Sequence, residues 1–310
     1  MPLPKRGRNA AKKEKMENYV LSCCSTADLS KEHLESRNIR YTYFHFLLGG
    51  TEYVDDLGQT MPPEELYRRM LAGEDSKTSQ VTVDEYTTYF DSLLKEGKDV
   101  LHICFSSGLS GSYNSALIAR KAMAEKYPDR KLYVVDSLAA SSGYGLIMET
   151  LADLRDEGKS IDELYDWIEK NKLRMHHWFF STDLTFYIRG GRVSKVAGLI
   201  GQILNICPLL NMTNDGKLKP REKIRTKKKV MQRIVEKMTE NASDRTSYSG
   251  KCFISHSACV EDARIVAANV ESLFPKLNGK VQIFPIGATI GSHTGPGTIA
   301  LFFWGDERED

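Results

Sequence analysis

Apolar and polar positions along the first half of the chain switch repeatedly between two periods. Short apolar runs at Asn18–Cys23, Val100–Phe105 and Lys131–Val135 have the length and composition of strands. Ile39–Leu48 alternates and is rich in aromatics, so a further strand is predicted there. Between these runs helical spacing takes over. Asp28 or Ser30 can cap a helix from Lys31. Pro62-Pro63-Glu64-Glu65 opens another to Leu71, with proline tolerated in its first turn. Val83–Glu96 repeats Tyr86, Tyr89, Phe90, Leu93 and Leu94 at helical spacing. Helices are also predicted from near Tyr113 and over Ser141–Arg155. Strand-then-helix repetition points to a parallel sheet covered by helices.

The second half has another rhythm. A helix at Ile161–Asn171 leads to an aromatic strand, His176–Ser181, a short helical stretch, Leu184–Ile188, and a helix over 197–204. The strand Ile206–Met212 then turns at Thr213-Asn214-Asp215-Gly216 and returns through Lys217–Ile224 as a hairpin. A basic helix from Thr226, a strand Cys252–Ser257, a helix from Glu261 and strands Val281–Ile286 and Thr298–Trp304 follow. Hairpins mixed with helices predict an α+β unit. The fold class is therefore α/β with two domains: an amino-terminal three-layer α/β/α domain on a parallel sheet, residues 17–165, and a carboxy-terminal α+β domain with a mixed or antiparallel sheet, residues 166–310.

Charge changes the picture at one end only. Of 43 basic and 41 acidic residues, six and one fall within the first fifteen, leaving 37 basic against 40 acidic. Residues 1–16 read as a disordered basic tail, and the remainder is mildly acidic, with nothing resembling a nucleic-acid groove. No run reaches the length of a membrane span. Six cysteines without a C-x-x-C pair, several inside apolar runs, suit a reducing, cytoplasmic setting.

The chemistry concentrates in small, hydroxylic segments. Ser106-Ser107-Gly108-Leu109-Ser110-Gly111-Ser112 joins a buried strand to a helix, where free backbone amides and the helix dipole favour anionic atoms. Serine hydroxyls and glycine backbone suit a carboxylate or phosphate held by neutral groups; a serine-rich helix cap would look the same. Thr78-Ser79-Gln80, Arg189-Gly190-Gly191-Arg192 and the predicted loop Gly291-Ser292-His293-Thr294-Gly295-Pro296-Gly297 are similar in kind. Familiar signatures fail. Gly108–Ser112 is no nucleophile elbow, because serine stands where that motif needs glycine. Gly295–Ala300 precedes a strand rather than a helix, unlike a dinucleotide fingerprint. Adjacent His176 and His177 point to opposite faces of a strand, and His256 with Cys259 makes a poor zinc set. No metal site and no catalytic group are identified.

Taken together in order, Ser25–Leu29, Thr78–Gln80, Ser106–Tyr113, Gly190–Arg192 and Gly291–Gly297 resemble the motifs of the DegV family, over roughly residues 18–304. Two positions depart from the family pattern. Cys24 stands where aspartate is usual, which puts any role of that aspartate in doubt, and Val81 stands where proline usually follows T-S-Q, which should only loosen the loop.

The resemblance implies a protein that binds one long-chain fatty acid (palmitate, stearate or oleate) in a buried tunnel between its domains. It implies the non-catalytic, lipid-binding subunit of a bacterial fatty acid kinase, presenting the carboxylate to a separate ATP-binding kinase protein for acyl-phosphate formation. Carried over by motif, Thr78, with Ser79 beside it, and Ser110 hold the carboxylate, and His293, next to Thr294, is a further donor. Gly111, Ser112 and Asn114 line the head-group end, and Arg192 orients the head or the incoming phosphoryl group, or contacts the kinase. No cofactor is implied. Two other readings remain: a serine hydrolase or acyltransferase using Ser110 and His293, and a sensor that binds an acyl ligand.

Overall fold

The computed structural model describes residues 19–194 and 206–310. The basic tail and the helix predicted over 197–204 lie outside the described residues. The first strand, β1 (Tyr19–Cys24), is buried throughout and stands between parallel neighbours β2 (Ile39–Thr42) and β6 (Asp99–Cys104), with β7 (Leu132–Asp136) beyond β6. Its helices include α1 (Lys31–Ser36), α3 (Val83–Leu94) and α4 (Ser112–Lys126). Thr82 and Glu85 close a capping box at the start of α3, satisfying two otherwise orphaned amides.

One strand prediction is corrected. The run Ile39–Leu48 breaks at Tyr43-Phe44, because the Phe44 amide donates to Ser25 Oγ and its carbonyl accepts from Asp55 instead of continuing a ladder. The second piece, β3 (His45–Leu48), joins β4 (Thr51–Val54) and β5 (Ser76–Ser79) in a separate antiparallel sheet, order β4-β3-β5. Thr78-Ser79 therefore belongs to a strand rather than a loop. Helix α2 (Pro63–Leu71) completes this small unit.

The other large sheet has six strands in the order β10-β9-β8-β13-β11-β12, antiparallel except for β11 against β12. These are β8 (Met175–Ser181), β9 (Ile206–Met212), β10 (Leu218–Arg225), β11 (Phe253–His256), β12 (Gln282–Pro285) and β13 (Thr298–Trp304). A parallel sheet and a separate mixed one match the fold class expected from the sequence. Alternation decides which face each side chain serves. Trp178 and Phe180, with Leu301 and Phe303, meet the outer helices α8 (Lys227–Asn241) and α9 (Val260–Leu273). Phe179 and Phe302 turn the other way, toward α5 (Ser141–Asp156). That helix is buried along almost its whole length, because it packs on β1 from one side and on β8, β11 and β13 from the other. Helix α6 (Ile161–Asn171) follows it, opened by a Ser160–Glu163 capping box.

The predicted 291–297 loop is also corrected. Helix α10 (Ala288–Thr294) carries its first part, and Gly295, Pro296 and Gly297 leave helical geometry, with φ 63° at Gly295 and φ 88° at Gly297. This helix seats against α2, β3 and β5 from the first half of the chain and against α7 (Thr185–Arg189) from the second.

Candidate functional site

The strand β5 and the helix α10 bring two of the expected residues into contact. Thr78 Oγ1 lies 2.7 Å from His293 Nε2. On the other edge of the imidazole, Arg192 Nη1 approaches Nδ1 at 3.5 Å while also donating to Gly190 O at 2.5 Å. A guanidinium carries only donors, so Nδ1 must accept. The ring proton then sits on Nε2 and is donated to Thr78 Oγ1. That leaves the Thr78 hydroxyl proton free for a ligand oxygen. Burial, with Arg192 adding to it, pushes the His293 pKa down to about 4, so the ring is neutral near pH 7.

Gly190 is required by this arrangement. Its φ of −74° suits any residue, but a Cβ there would overlap His293 Nδ1. The glycine lets the turn before Arg192 close directly over the ring. Arg192 also donates through Nη2 to Leu109 O at 3.3 Å, which ties it to the serine loop.

That loop is fixed from both sides. The Ser107 amide donates to Asp136 Oδ1 at 3.1 Å, and Ser106 Oγ donates to Gly216 O at 2.8 Å. Gly108 packs so closely on Asp215 and Gly216 that a Cβ could not fit between them. The hairpin turn between β9 and β10 thus clamps the loop. Ser110 Oγ accepts the Ser112 amide at 3.2 Å, leaving its own proton available. Gln80, just past β5, donates to Ser115 Oγ at 2.9 Å, and its Oε1 fills the space a Gly111 side chain would need.

These groups stand at a cavity of about 980 Å³ including its open mouth. Thr78, Ser79, Ser110, Gly111, Arg192, His293 and Thr294 all line it. Behind them the walls are apolar, with Phe44, Phe105, Phe179, Met212, Ile290 and Phe302 drawn from both large sheets, their loops and α10. Ser112 and Asn114 do not line the cavity. Ser112 is fully buried and its hydroxyl pairs with Tyr86 OH at 2.9 Å.

The sequence reading overlooked Gln80, Ser141 and His177 as lining residues. His177 was findable, because alternation on β8 places it on the same face as Phe179. It is neutral as well: burial drives its pKa well below normal, Nδ1 donates to Met175 O, and Nε2 accepts from the Ala140 amide. Cys24 is buried with its thiol 3.2 Å from Tyr86 OH, and burial pushes the thiol pKa up to about 11, so it carries no charge. Val81 is fully buried in the core.

Chemically, this is a neutral hydroxyl and imidazole set with one guanidinium behind it, opening into an apolar space. The neighbours of His293 are a hydroxyl and a cation, the reverse of the carboxylate that orients a catalytic imidazole in a nucleophilic triad. Among the described residues no group of three or more His, Cys, Asp or Glu is placed to hold a metal.

Residues 24–306 match the family described as "Uncharacterised protein, DegV family". A DegV domain-containing protein of Clostridium perfringens is 38% identical over 297 residues, covering 95% of this chain and 100% of that one. A DegV family protein from Thermus thermophilus, solved with reference to its fatty acid binding, is 25% identical with a TM-score of 0.82, covering 93% of this chain and 99% of its own. The Streptococcus pneumoniae fatty acid kinase (Fak) B3 protein, solved loaded with linoleic acid, is similar in fold, with 22% identity, a TM-score of 0.80 and coverage of 93% and 100%.

Proposed function

The chain belongs to the DegV family, and we propose that it holds one long-chain fatty acid, such as palmitate, stearate or oleate, and presents its carboxylate to a separate ATP-binding kinase. The observation that carries this reading is the Arg192–His293–Thr78 chain of hydrogen bonds at the polar end of an otherwise apolar cavity. A buried carboxylate is costly to desolvate unless donors replace its water. The free protons of Thr78 and Ser110 supply them, and Arg192 adds a compensating charge one residue removed. The apolar walls supply the affinity. Burying about sixteen carbons at about 0.8 kcal/mol per methylene offers on the order of 10 kcal/mol.

Neutral donors hold the carboxylate without protonating it, so an oxygen keeps its lone pair. In the kinase complex that oxygen attacks the γ-phosphorus of ATP; the new P–O bond forms as the bond to ADP breaks, giving acyl phosphate and ADP. Such transfer needs position and charge stabilisation more than a base, and the ATP-bearing partner can supply much of both. This chain therefore has no turnover of its own. Its six unpaired cysteines agree with a reducing cytoplasm as the setting.

The test is extraction of the purified protein followed by mass spectrometry. A single equivalent of long-chain fatty acid is expected, or its uptake when palmitate is added. An extract without lipid, together with no uptake, contradicts the reading.

A further inference from the structure

Two buried aspartates reach the start of α10 from the opposite half of the molecule. Asp28, in the turn after β1, accepts the Gly287 amide on Oδ1 at 3.0 Å. Asp55, just after β4, accepts the Thr289 amide on Oδ2 at 3.0 Å. They are 5% and 1% exposed, and neither forms an ion pair among the described residues. Burial pushes both carboxyls up, Asp28 well above the usual range with the Asp55 charge adding to it, and their amide and hydroxyl donors offset this only in part. Gly287 has no side chain for a reason: a Cβ would sit 2.7 Å from Asp28 Oδ1. The other oxygen of Asp28 takes the Ser141 hydroxyl, which in turn lies 2.9 Å from Ser255 Oγ on β11. Asp28 adopts φ 47° and Ser141 φ 54°, strained values for non-glycine residues that the surrounding contacts must hold in place.

The consequence follows from where α10 leads. One turn beyond Thr289, on the same face, the helix presents His293, whose ring must meet Thr78 Oγ1 within hydrogen-bond distance. Orphan amides at a helix start accept carboxylates favourably, and here the acceptors come from the half of the molecule that carries Thr78. We propose that Asp28 and Asp55 are positioning residues for head-group recognition, fixing α10 along its axis so that His293 and Thr78 stay in register. Neither lines the cavity; Asp55 acts through the helix, and Asp28 through the helix and through its hold on the cavity-lining Ser141.

This inference rests on the fatty-acid reading for its binding arm, and the test separates the two. Palmitate and hexadecanol share a tail but differ in head, so a positioning defect weakens only the first. Asp28→Ala and Asp55→Ala are expected to weaken palmitate about tenfold, the order of one lost buried hydrogen bond, and hexadecanol by less than about twofold. Asp28→Asn is expected to recover palmitate binding, because asparagine tolerates the left-handed backbone and still offers an oxygen to Gly287. The independent readout is the ¹⁵N spectrum of His293 without ligand. It is expected to show the Nε2–H form alone in the wild type and a tautomer mixture in the alanine variants. Equal losses for both ligands, or an unchanged His293 spectrum, overturn the proposal. If the wild type binds neither ligand, the functional reading fails while the spectrum still decides the positioning role. If Asp28→Ala does not fold, Asp55→Ala carries the test.

Discussion

His293 Nε2 sits 2.7 Å from Thr78 Oγ1, joining a helix near the end of the chain to a strand 215 positions earlier. Because Arg192 occupies the far side of the ring, the imidazole can only pass a proton toward Thr78, and Thr78 only toward the cavity. Removing the hydroxyls should therefore cost recognition of the acid rather than of the tail. Thr78→Val and Ser110→Ala are each expected to lower palmitate affinity about tenfold, with hexadecanol nearly unaffected, in calorimetric titrations. In the presence of the kinase both variants should lose acyl-phosphate formation while keeping the wild-type circular dichroism spectrum. Equal losses for both ligands would place the hydroxyls outside the head site.

A second test exploits two neighbouring glycines. Gly190→Ala puts a methyl group into His293 Nδ1 without straining the backbone. Gly191→Ala meets open space but sits at φ 73°. The first should lower palmitate affinity with little loss of stability. The second should cost about 1 kcal/mol of stability and leave binding alone. Thermal melts and titrations of the two variants should separate cleanly; the opposite pattern would mean His293 is not the group that Gly190 accommodates.

Acid should destabilise the protein through its histidines. Burial holds His102 at about 3 and His176 at about 4, and His177 lower than normal, while His293 stands at about 4. Unfolded histidine titrates near 6.5, so the unfolded chain binds more protons and stability falls as pH drops from about 6.5 toward 4. Each such group contributes up to about 1.4 kcal/mol per pH unit. His102→Gln, which keeps a polar contact to Ser22, should flatten the slope of melting temperature against pH. An identical slope in that variant would mean His102 is charged in the native state.

The two halves are also tied by an ion network centred on the buried Glu149, with half-buried partners. Glu149 on α5 meets Lys251 at 2.5 Å, Arg37 at 3.2 Å and His33 at 3.0 Å, and Lys251 also reaches Asp153. Hydrogen bonds and charge from these partners outweigh its burial and hold the Glu149 carboxyl at about 2. Its contribution is present above the normal glutamate range and lost as pH falls through about 2. Glu149→Gln is expected to cost about 2 kcal/mol at pH 7 in denaturant unfolding, because it leaves the half-buried Lys251 and Arg37 underpaired. A change below about 0.5 kcal/mol would show that Asp153 alone suffices.

Much of this was legible in the chain. The Ile161–Asn171 helix, the hairpin at Thr213–Gly216 and the alternation on β8 follow from local spacing and turn chemistry, which act over a few residues. The break at Phe44 was not, because its cause is Ser25 Oγ and the Asp55 amide, partners that no local pattern reveals. The site divides in the same way. Thr78, Ser110 and His293 could be named from their motifs, but Ser112 faces Tyr86 rather than the cavity, a matter of helix phase at the first turn of α4. Asp28 reads in the sequence as a candidate helix cap within Ser25–Leu29, and nothing local distinguishes Asp55. Their importance depends on a helix more than two hundred positions away.

The central claim is that one fatty-acid carboxylate sits ionised among Thr78, Ser110 and His293. Palmitate labelled with ¹³C at its carboxyl carbon tests it directly by NMR. The account predicts one bound resonance in slow exchange, constant from pH 8 to 6 and displaced by Thr78→Val. A resonance that titrates like free acid, or one indifferent to Thr78→Val, would contradict it.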